Sequence, residues 1–197
     1  IGRGLRIKIN ANIGTSGYNN DPALEMEKLS ASIRYGADTV MDLSTGGDIR
    51  AMRRRIIDAS RVPVGTVPVY EAIVRCPDVA GLGEDDFLES IRTHIEDGVD
   101  FITVHCGVTR KCVPLLDSRI MGVVSRGGSF LIKWMLHHDR ENPLYARYDE
   151  ILDMAKRHDV VLSLGDGLRP GCLADASDPA QYEELKTLGE LAARARA

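Results

Sequence analysis

One pattern repeats along the chain and restricts its fold: a short apolar run, a polar or glycine-rich turn, and a segment with helical periodicity. Alternation of strand and helix is typical of a parallel sheet covered by its crossover helices. The apolar runs that we predict as strands are 5–9, 39–43, a part of 62–69, 101–104, 120–124 and 160–164. The sequence therefore predicts an α/β fold with six βα units in series.

The segments between the strands carry signals of helix ends. Asp21 followed by Pro22 is typical of an N-cap and a first helical residue, and Gly36 is typical of a helix end. A basic helix is predicted over 48–59, where Asp48 is either its N-cap or part of a glycine-rich, anion-binding turn. The remaining helices are predicted around 87–95, 130–137, 148–155 and 180–196.

A cluster of polar residues follows every predicted strand, and this feature favours one of two architectures. A doubly wound open sheet concentrates its site at one switch point, whereas a (β/α)8 barrel builds its site from all the loops at its C-terminal mouth. The clusters begin at Asn10, Asp42, Tyr70, His105, Ser125 and Gly165. We therefore predict a (β/α)8 TIM-type barrel of which the chain supplies about the first six units, with a complete six-unit open sheet as the alternative.

Composition excludes several classes of function. The net charge of −4 gives no general attraction to nucleic acid, and no apolar run reaches the roughly 18 residues that span a bilayer. Residues 1–10 lack the apolar segment of a signal peptide, so we expect a cytoplasmic protein with no nucleic-acid or membrane partner. The four cysteines form no CxxC pair, which favours reduced thiols over a metal site.

Several residues after the strands admit both a functional and a structural interpretation. The Asn12 amide can read the nitrogens of a heterocycle or cap a turn. Tyr70 offers a phenol at the mouth or is a buried tyrosine, and His105 is a base, a ligand or a core histidine. Asp166 and Arg169 either contact a substrate's amine or hydroxyl and its phosphate or carboxylate, or form a salt bridge within their loop.

The sequence Ser125-Arg126-Gly127-Gly128 is the most specific sign of an anion site. A hydroxyl, a guanidinium and free backbone N–H groups at a helix start suit a phosphate. The alternative is a plain turn. The run from Arg53 to Arg55, by contrast, is interpreted as a solvated helix face rather than a phosphate site.

Seven runs of the sequence together resemble one family, the ThiC family of phosphomethylpyrimidine synthases in thiamin biosynthesis. They are IKINANIGTS, GADTVMDLSTGGDI, VGTVPVY, GVDFITVHCGVT, VVSRGGSF, HHDRENPLY and LSLGDGLRPGCLADA. The resemblance implies a radical S-adenosylmethionine lyase on a (β/α)8 barrel. Such an enzyme converts 5-aminoimidazole ribonucleotide into 4-amino-5-hydroxymethyl-2-methylpyrimidine phosphate, using a [4Fe-4S] cluster and S-adenosylmethionine.

The resemblance also implies which residues contact the ribonucleotide, by their match to the family's motifs. The Ser-Arg-Gly turn holds the phosphate, while Asp166 and Arg169 contact the ribose and imidazole end. The implied substrate-binding residues are Asn12, Met41, Tyr70, His105, Ser125, Arg126, Gly127, Asp166 and Arg169. No residue of the chain is assigned a catalytic role. An external electron donor, a divalent metal (zinc or iron) and a homodimer are further implications.

The chain departs from the family pattern in its extent. We expect residues 1–197 to be a partial catalytic barrel, with the N-terminal domain, the last barrel strands and the C-terminal iron–sulfur segment outside it. The cysteines do not match the family's CxxCxxxxC cluster motif, so the cluster and metal ligands are expected outside the chain. We expect these residues alone to be inactive and poorly folded, because an unclosed barrel exposes sheet edges.

Two alternatives to this function remain open. A 5-hydroxybenzimidazole synthase of anaerobic cobamide synthesis resembles the same family and uses the same ribonucleotide, so only its product would distinguish it. An inactive fragment that binds the ribonucleotide without reacting is the other.

Overall fold

The computed structural model describes residues 4–197, and residues 1–3 of the predicted domain lie outside the described residues. Short strands alternate with helices along the chain. The strands are β1 (Asn10–Ile13), β2 (Thr39–Asp42), β3 (Val64–Thr66), β4 (Phe101–Val104) and β5 (Val161–Leu164). The helices are α1 (Pro22–Arg34), α2 (Ile49–Ala59), α3 (Pro68–Arg75), α4 (Glu84–Glu96), α5 (Arg126–His138), α6 (Pro143–Ala146), α7 (Tyr148–His158) and α8 (Pro179–Arg196).

The five strands form one parallel sheet in chain order, β1-β2-β3-β4-β5. A doubly wound sheet reverses its strand order at a switch point, which places helices on both faces. No reversal occurs within residues 4–197, so right-handed crossovers place the helices on a single face. The fold is therefore α/β and consistent with a partial TIM-type barrel, whose described sheet is not closed.

The two faces of the sheet differ in what covers them. Val40 and Val64 belong to one apolar cluster beneath α1 and α2, and Ile102 and Val104 belong to a larger one beneath the later helices. The opposite, inner face carries Asn12, Met41, Gly65, Phe101 and Val161, which are successive register partners on the five strands. Asn12 and Val161, which lie on this inner face in the two edge strands of the described sheet, are exposed.

The predicted strand at 120–124 is wrong, so the described sheet has five strands rather than six. The backbone N–H groups of Ile120 and Met121 both donate to the Asp175 carboxylate, at 2.9 Å each, instead of to a neighbouring strand. Strand β4 pairs directly with β5. The apolar run therefore lies at the surface. The Asp175 carboxylate accepts hydrogen bonds from two N–H groups that would otherwise pair with a neighbouring strand.

The first strand was predicted at 5–9, and the structure places it five residues later, over Asn10–Ile13. Leu5, Ile7 and Ile9 are exposed, whereas Ile13 is buried beneath α1 and α2. The pairing with β2 sets the position of this strand, because residues 10–13 are the ones that pair with Thr39–Asp42.

Helix starts follow the sequence signals closely. The Asp21 carboxylate accepts from the N–H of Ala23 at 2.9 Å, and the Asp48 carboxylate accepts from the N–H of Ala51 at 2.9 Å. Both residues are N-caps, as predicted for Asp21 and as one of the two interpretations of Asp48. Within residues 4–197, no helix combines the length and the apolar composition that crossing a bilayer needs.

Arg53 corrects the interpretation of the arginine run as a solvated face. Its side chain is fully buried, and its guanidinium lies 2.6 Å from Asp97 and 2.6 Å from Glu71. His94 Nε2 lies 2.8 Å from the same Glu71 carboxylate, and His94 Nδ1 lies 2.8 Å from the Thr66 hydroxyl. This buried network joins α2, α3 and α4 behind β3, whereas Arg54 is exposed.

Candidate functional site

Three segments of the chain meet beyond the carboxyl ends of β4 and β5. They are the residue after β4, His105; the start of α5; and the loop after β5. A Cβ atom built on Gly127 would lie 2.7 Å from Cε1 of His105, and one built on Gly128 would lie 2.1 Å from the carbonyl oxygen of Gly167. Both positions require glycine: a side chain at Gly128 would separate two backbones that touch, and one at Gly127 would displace the His105 ring.

His105 presents an unused polar atom at this junction. Its side chain is buried, with a relative exposure of 4%, and its Nδ1 has no hydrogen-bond partner within residues 4–197. Burial lowers the pKa of His105 to about 4, with Asp166 opposing the shift and Arg169 adding to it. The ring is therefore neutral at pH 7, and it can donate or accept a hydrogen bond to a ligand.

We predict that His105 titrates near pH 4 rather than at its ordinary value of 6.5. Between pH 6.5 and about pH 4 the unfolded chain binds a proton at this ring that the folded chain does not. The free energy of unfolding therefore decreases as the pH falls through this range. NMR of histidine-labelled, full-length protein measures the titration, with exposed His137 as a reference signal. A His105 midpoint at pH 6 or above would contradict the prediction.

The predicted phosphate turn forms the N-terminus of α5. The Ser125 hydroxyl oxygen accepts from the N–H of Gly128 at 3.2 Å, which leaves its proton available to an anion. Arg126 is exposed, and its guanidinium lies 5.2 Å from the ring centroid of Tyr70, close enough for a cation–π contact. Tyr70 lies within the first turn of α3 rather than in a loop after β3.

Asp166 and Arg169 form the salt bridge that the structural interpretation anticipated. Arg169 Nη1 donates to the Asp166 carbonyl at 3.0 Å and lies 3.5 Å from the Asp166 carboxylate. The side chains are 68% and 45% exposed. Such a pair contributes about 0–1 kcal/mol, so a charged ligand can replace it without disrupting the loop.

Asn12 and Met41 are register partners on the inner face, in β1 and β2. Asn12 lies within a strand, where the sequence predicted a position after one, and its amide oxygen accepts from the Asn10 amide at 3.0 Å. The structure thus groups the predicted site residues into three sets. They are Asn12 with Met41, Tyr70 with Ser125 and Arg126, and His105 with Gly127, Asp166 and Arg169.

Sequence reasoning missed three buried polar residues that hold these loops. Glu184 in α8 accepts from the N–H groups of Gly167 and Leu168. The Asn142 amide donates to the carbonyl of His105 at 2.9 Å, and Arg119 donates to the carbonyl of Leu168 at 2.6 Å.

A signal for Glu184 existed in the sequence. It lies on one helical stripe with Ala180, Thr187 and Leu191, all of which are buried. An acidic side chain on a buried helix face needs a hydrogen-bond donor or a cation beside it. Its position therefore predicts a structural or functional contact.

Two of the cysteines, Cys106 and Cys112, are buried as thiols and do not suit a metal or cluster. Burial raises the pKa of Cys106 to about 12 and also raises the pKa of Cys112, so both thiols stay protonated, whereas metals bind thiolates. Within residues 4–197, no group of three or more His, Cys, Asp or Glu side chains could hold a metal ion.

Known proteins resemble the chain along its whole length. The model of the radical SAM ThiC family matches residues 1–197. Phosphomethylpyrimidine synthases of Methanopyrus kandleri and Moorella thermoacetica are 57% and 58% identical to it, over 100% of the chain and 47% of each relative. That of Thermodesulfovibrio yellowstonii is 55% identical over 97% of the chain and 46% of its own length. The chain spans about half the length of the curated relatives it matches.

Proposed function

Because the chain belongs to the radical SAM ThiC family, we propose that the full-length protein containing it is a phosphomethylpyrimidine synthase. The substrate is 5-aminoimidazole ribonucleotide, and the product is 4-amino-5-hydroxymethyl-2-methylpyrimidine phosphate for thiamin. Family membership implies a [4Fe-4S] cluster and S-adenosylmethionine, which supply a substrate-activating radical when bound.

In this proposal, the described residues bind and orient the ribonucleotide. The phosphate lies at the start of α5, where the Ser125 hydroxyl and the Arg126 guanidinium can both donate to it. The neutral His105 ring meets a polar atom of the substrate, and Asp166 and Arg169 exchange their mutual ion pair for substrate contacts. The observation that carries the proposal is the unpaired, buried Nδ1 of His105 against Gly127. An unpaired buried polar atom costs about 1–3 kcal/mol, which a ligand can recover.

We propose a cytoplasmic enzyme that takes an electron from an external donor, works as a homodimer, and binds its cluster and a zinc or iron ion through other residues. The compared relatives carry the pyrimidine synthase name, which favours the pyrimidine over a benzimidazole product.

We predict that Asp166→Asn and Arg169→Ala each weaken ribonucleotide binding to the full-length protein by about ten- to hundredfold. Each change removes a hydrogen bond to a charged group, which is worth about 1.5–3 kcal/mol. Equilibrium binding of 5-aminoimidazole ribonucleotide measures the effect, and iron content reports on the cluster.

The matched control is the Asp149–Arg194 pair, which joins α7 to α8 with exposures of 69% and 49%. Asp149→Asn should leave binding unchanged, because its pair has the same exposure but lies away from the loop after β5. If iron content falls in Asp166→Asn while ribonucleotide binding does not, the assignment of this loop to the substrate is wrong.

A further inference from the structure

Glu184 places a buried carboxylate directly behind the loop that carries Asp166 and Arg169. Its Oε1 accepts from the N–H of Gly167 at 2.7 Å, and its Oε2 accepts from the N–H of Leu168 at 2.8 Å. Its side chain is almost fully buried in α8. Each oxygen therefore holds one backbone donor of the loop.

The same side chain lies between two of the three segments that meet at the site. A Cβ atom built on Gly107, in the loop after β4, would lie 3.0 Å from Cγ of Glu184. One built on Gly167 would lie 3.2 Å from the Glu184 carboxylate and 3.2 Å from Cα of Gly128, at the start of α5. Movement of the Gly167 backbone would therefore alter the contact with α5 as well.

We propose that Glu184 is a positioning residue, whose carboxylate holds the backbone of Gly167 and Leu168 so that Asp166 and Arg169 stay in the arrangement that binds the ribonucleotide. This role rests on the proposed function. An ionised carboxylate is a strong acceptor on both oxygens. A glutamine amide would direct its NH2 donor at one backbone N–H and lose that hydrogen bond, and in a protonated acid the hydroxyl oxygen would be the weaker acceptor.

The electrostatic surroundings place the ionisation of Glu184 near neutrality. Burial raises the pKa of Glu184 to about 7; the hydrogen bonds from Leu168 and Gly167 oppose the shift, Asp166 adds to it, and Arg119 opposes it. The other titratable groups around it are the thiols of Cys106 and Cys112, the exposed Arg110 and Lys111 beside Cys112, and Glu183 on its own helix. As the pH falls through about 7, the carboxylate takes up a proton and its hold on the loop weakens.

The test compares wild-type and Glu184→Gln full-length proteins from about pH 5.5 to about pH 8.5. Binding of 5-aminoimidazole ribonucleotide is measured at each pH, together with amide hydrogen exchange of the peptide covering 163–172. The phosphate of the substrate also titrates near pH 6, but it does so with both proteins. The difference between the two profiles therefore isolates Glu184. Glu190→Gln, an exposed acid on the same helix, is the control.

We expect Glu184→Gln to bind roughly ten- to hundredfold more weakly than wild type above pH 7, with faster exchange in 163–172. Wild-type affinity should fall as the pH decreases through about 7, and the difference between the proteins should shrink. If the variant folds poorly, amide exchange of 163–172 in wild-type protein without ribonucleotide, corrected for its intrinsic pH dependence, tests the role, because the substrate phosphate is then absent. Equal affinities of both proteins at every pH would overturn the positioning role alone. A wild-type protein that binds no ribonucleotide would overturn the proposed function, and the role with it.

Discussion

Replacing Gly128 by alanine in the full-length protein is expected to weaken ribonucleotide binding by about ten- to hundredfold. The added Cβ would lie 2.1 Å from the carbonyl oxygen of Gly167 and 2.7 Å from its carbonyl carbon. These are backbone atoms, so no side-chain rotation relieves the overlap, and either α5 or the loop after β5 must move. Overpacking of this kind costs about 1–3 kcal/mol. If this cost disfavours the conformation that binds the ribonucleotide, the affinity falls by the same ten- to hundredfold.

Gly189→Ala provides the matched control for this substitution. Gly189 lies within α8, and a Cβ built there meets nothing within 4 Å. Alanine at that position should raise the free energy of unfolding by up to about 1 kcal/mol and leave ribonucleotide binding unchanged. If Gly128→Ala binds the ribonucleotide as tightly as Gly189→Ala, then the contact between α5 and the loop is not needed for binding.

Replacing Arg53 by methionine is expected to lower the free energy of unfolding by about 3–5 kcal/mol, since it removes the fully buried cation that pairs with both Glu71 and Asp97 and leaves them only partly exposed arginines. Burial opposes the charge on Glu71, but hydrogen bonds from His94, Arg53 and Arg75 outweigh it and hold the pKa of Glu71 far below its usual range. Burial likewise opposes ionisation of Asp97, yet hydrogen bonds from arginines lower its pKa to about 2. Both acids are therefore charged at neutral pH.

Arg55→Met is the control for the arginine network, because Arg55 lies on the same helix and is exposed. Its loss should change the free energy of unfolding by no more than about 0.5 kcal/mol. Urea unfolding of the full-length protein, followed by circular dichroism, compares the two variants. Equal losses of stability in Arg53→Met and Arg55→Met would show that the buried ion pairs contribute nothing specific.

Much of the fold could be predicted because its signals are local. The Asp21-Pro22 helix start depends on a side chain and a backbone within three residues of each other, and it was predicted correctly. The strand predicted at 101–104 agrees with β4. The false strand at 120–124 failed for a tertiary reason, because the carboxylate that takes its N–H groups, Asp175, is more than 50 residues away.

For the site, too, residues with a local sequence signal could be predicted, whereas residues defined by tertiary packing could not. The position of His105 directly after a strand identified it as a candidate, and the structure places it against Gly127. Arg53 was not recognised, because only the packing of helices shows that its charge is buried and paired. A charged residue on a helix is exposed in most proteins, so sequence alone favours the wrong answer for Arg53. Glu184 was missed although its position on a stripe with Ala180, Thr187 and Leu191 offered a signal.

We propose that this chain forms part of the ribonucleotide site of a pyrimidine-forming radical enzyme. The most direct test of this proposal is product analysis of the full-length protein, incubated without oxygen with 5-aminoimidazole ribonucleotide, S-adenosylmethionine and a reductant. We expect a mass matching 4-amino-5-hydroxymethyl-2-methylpyrimidine phosphate, together with 5′-deoxyadenosine. A benzimidazole product, or a ribonucleotide left unconsumed by protein with its cluster intact, would contradict it.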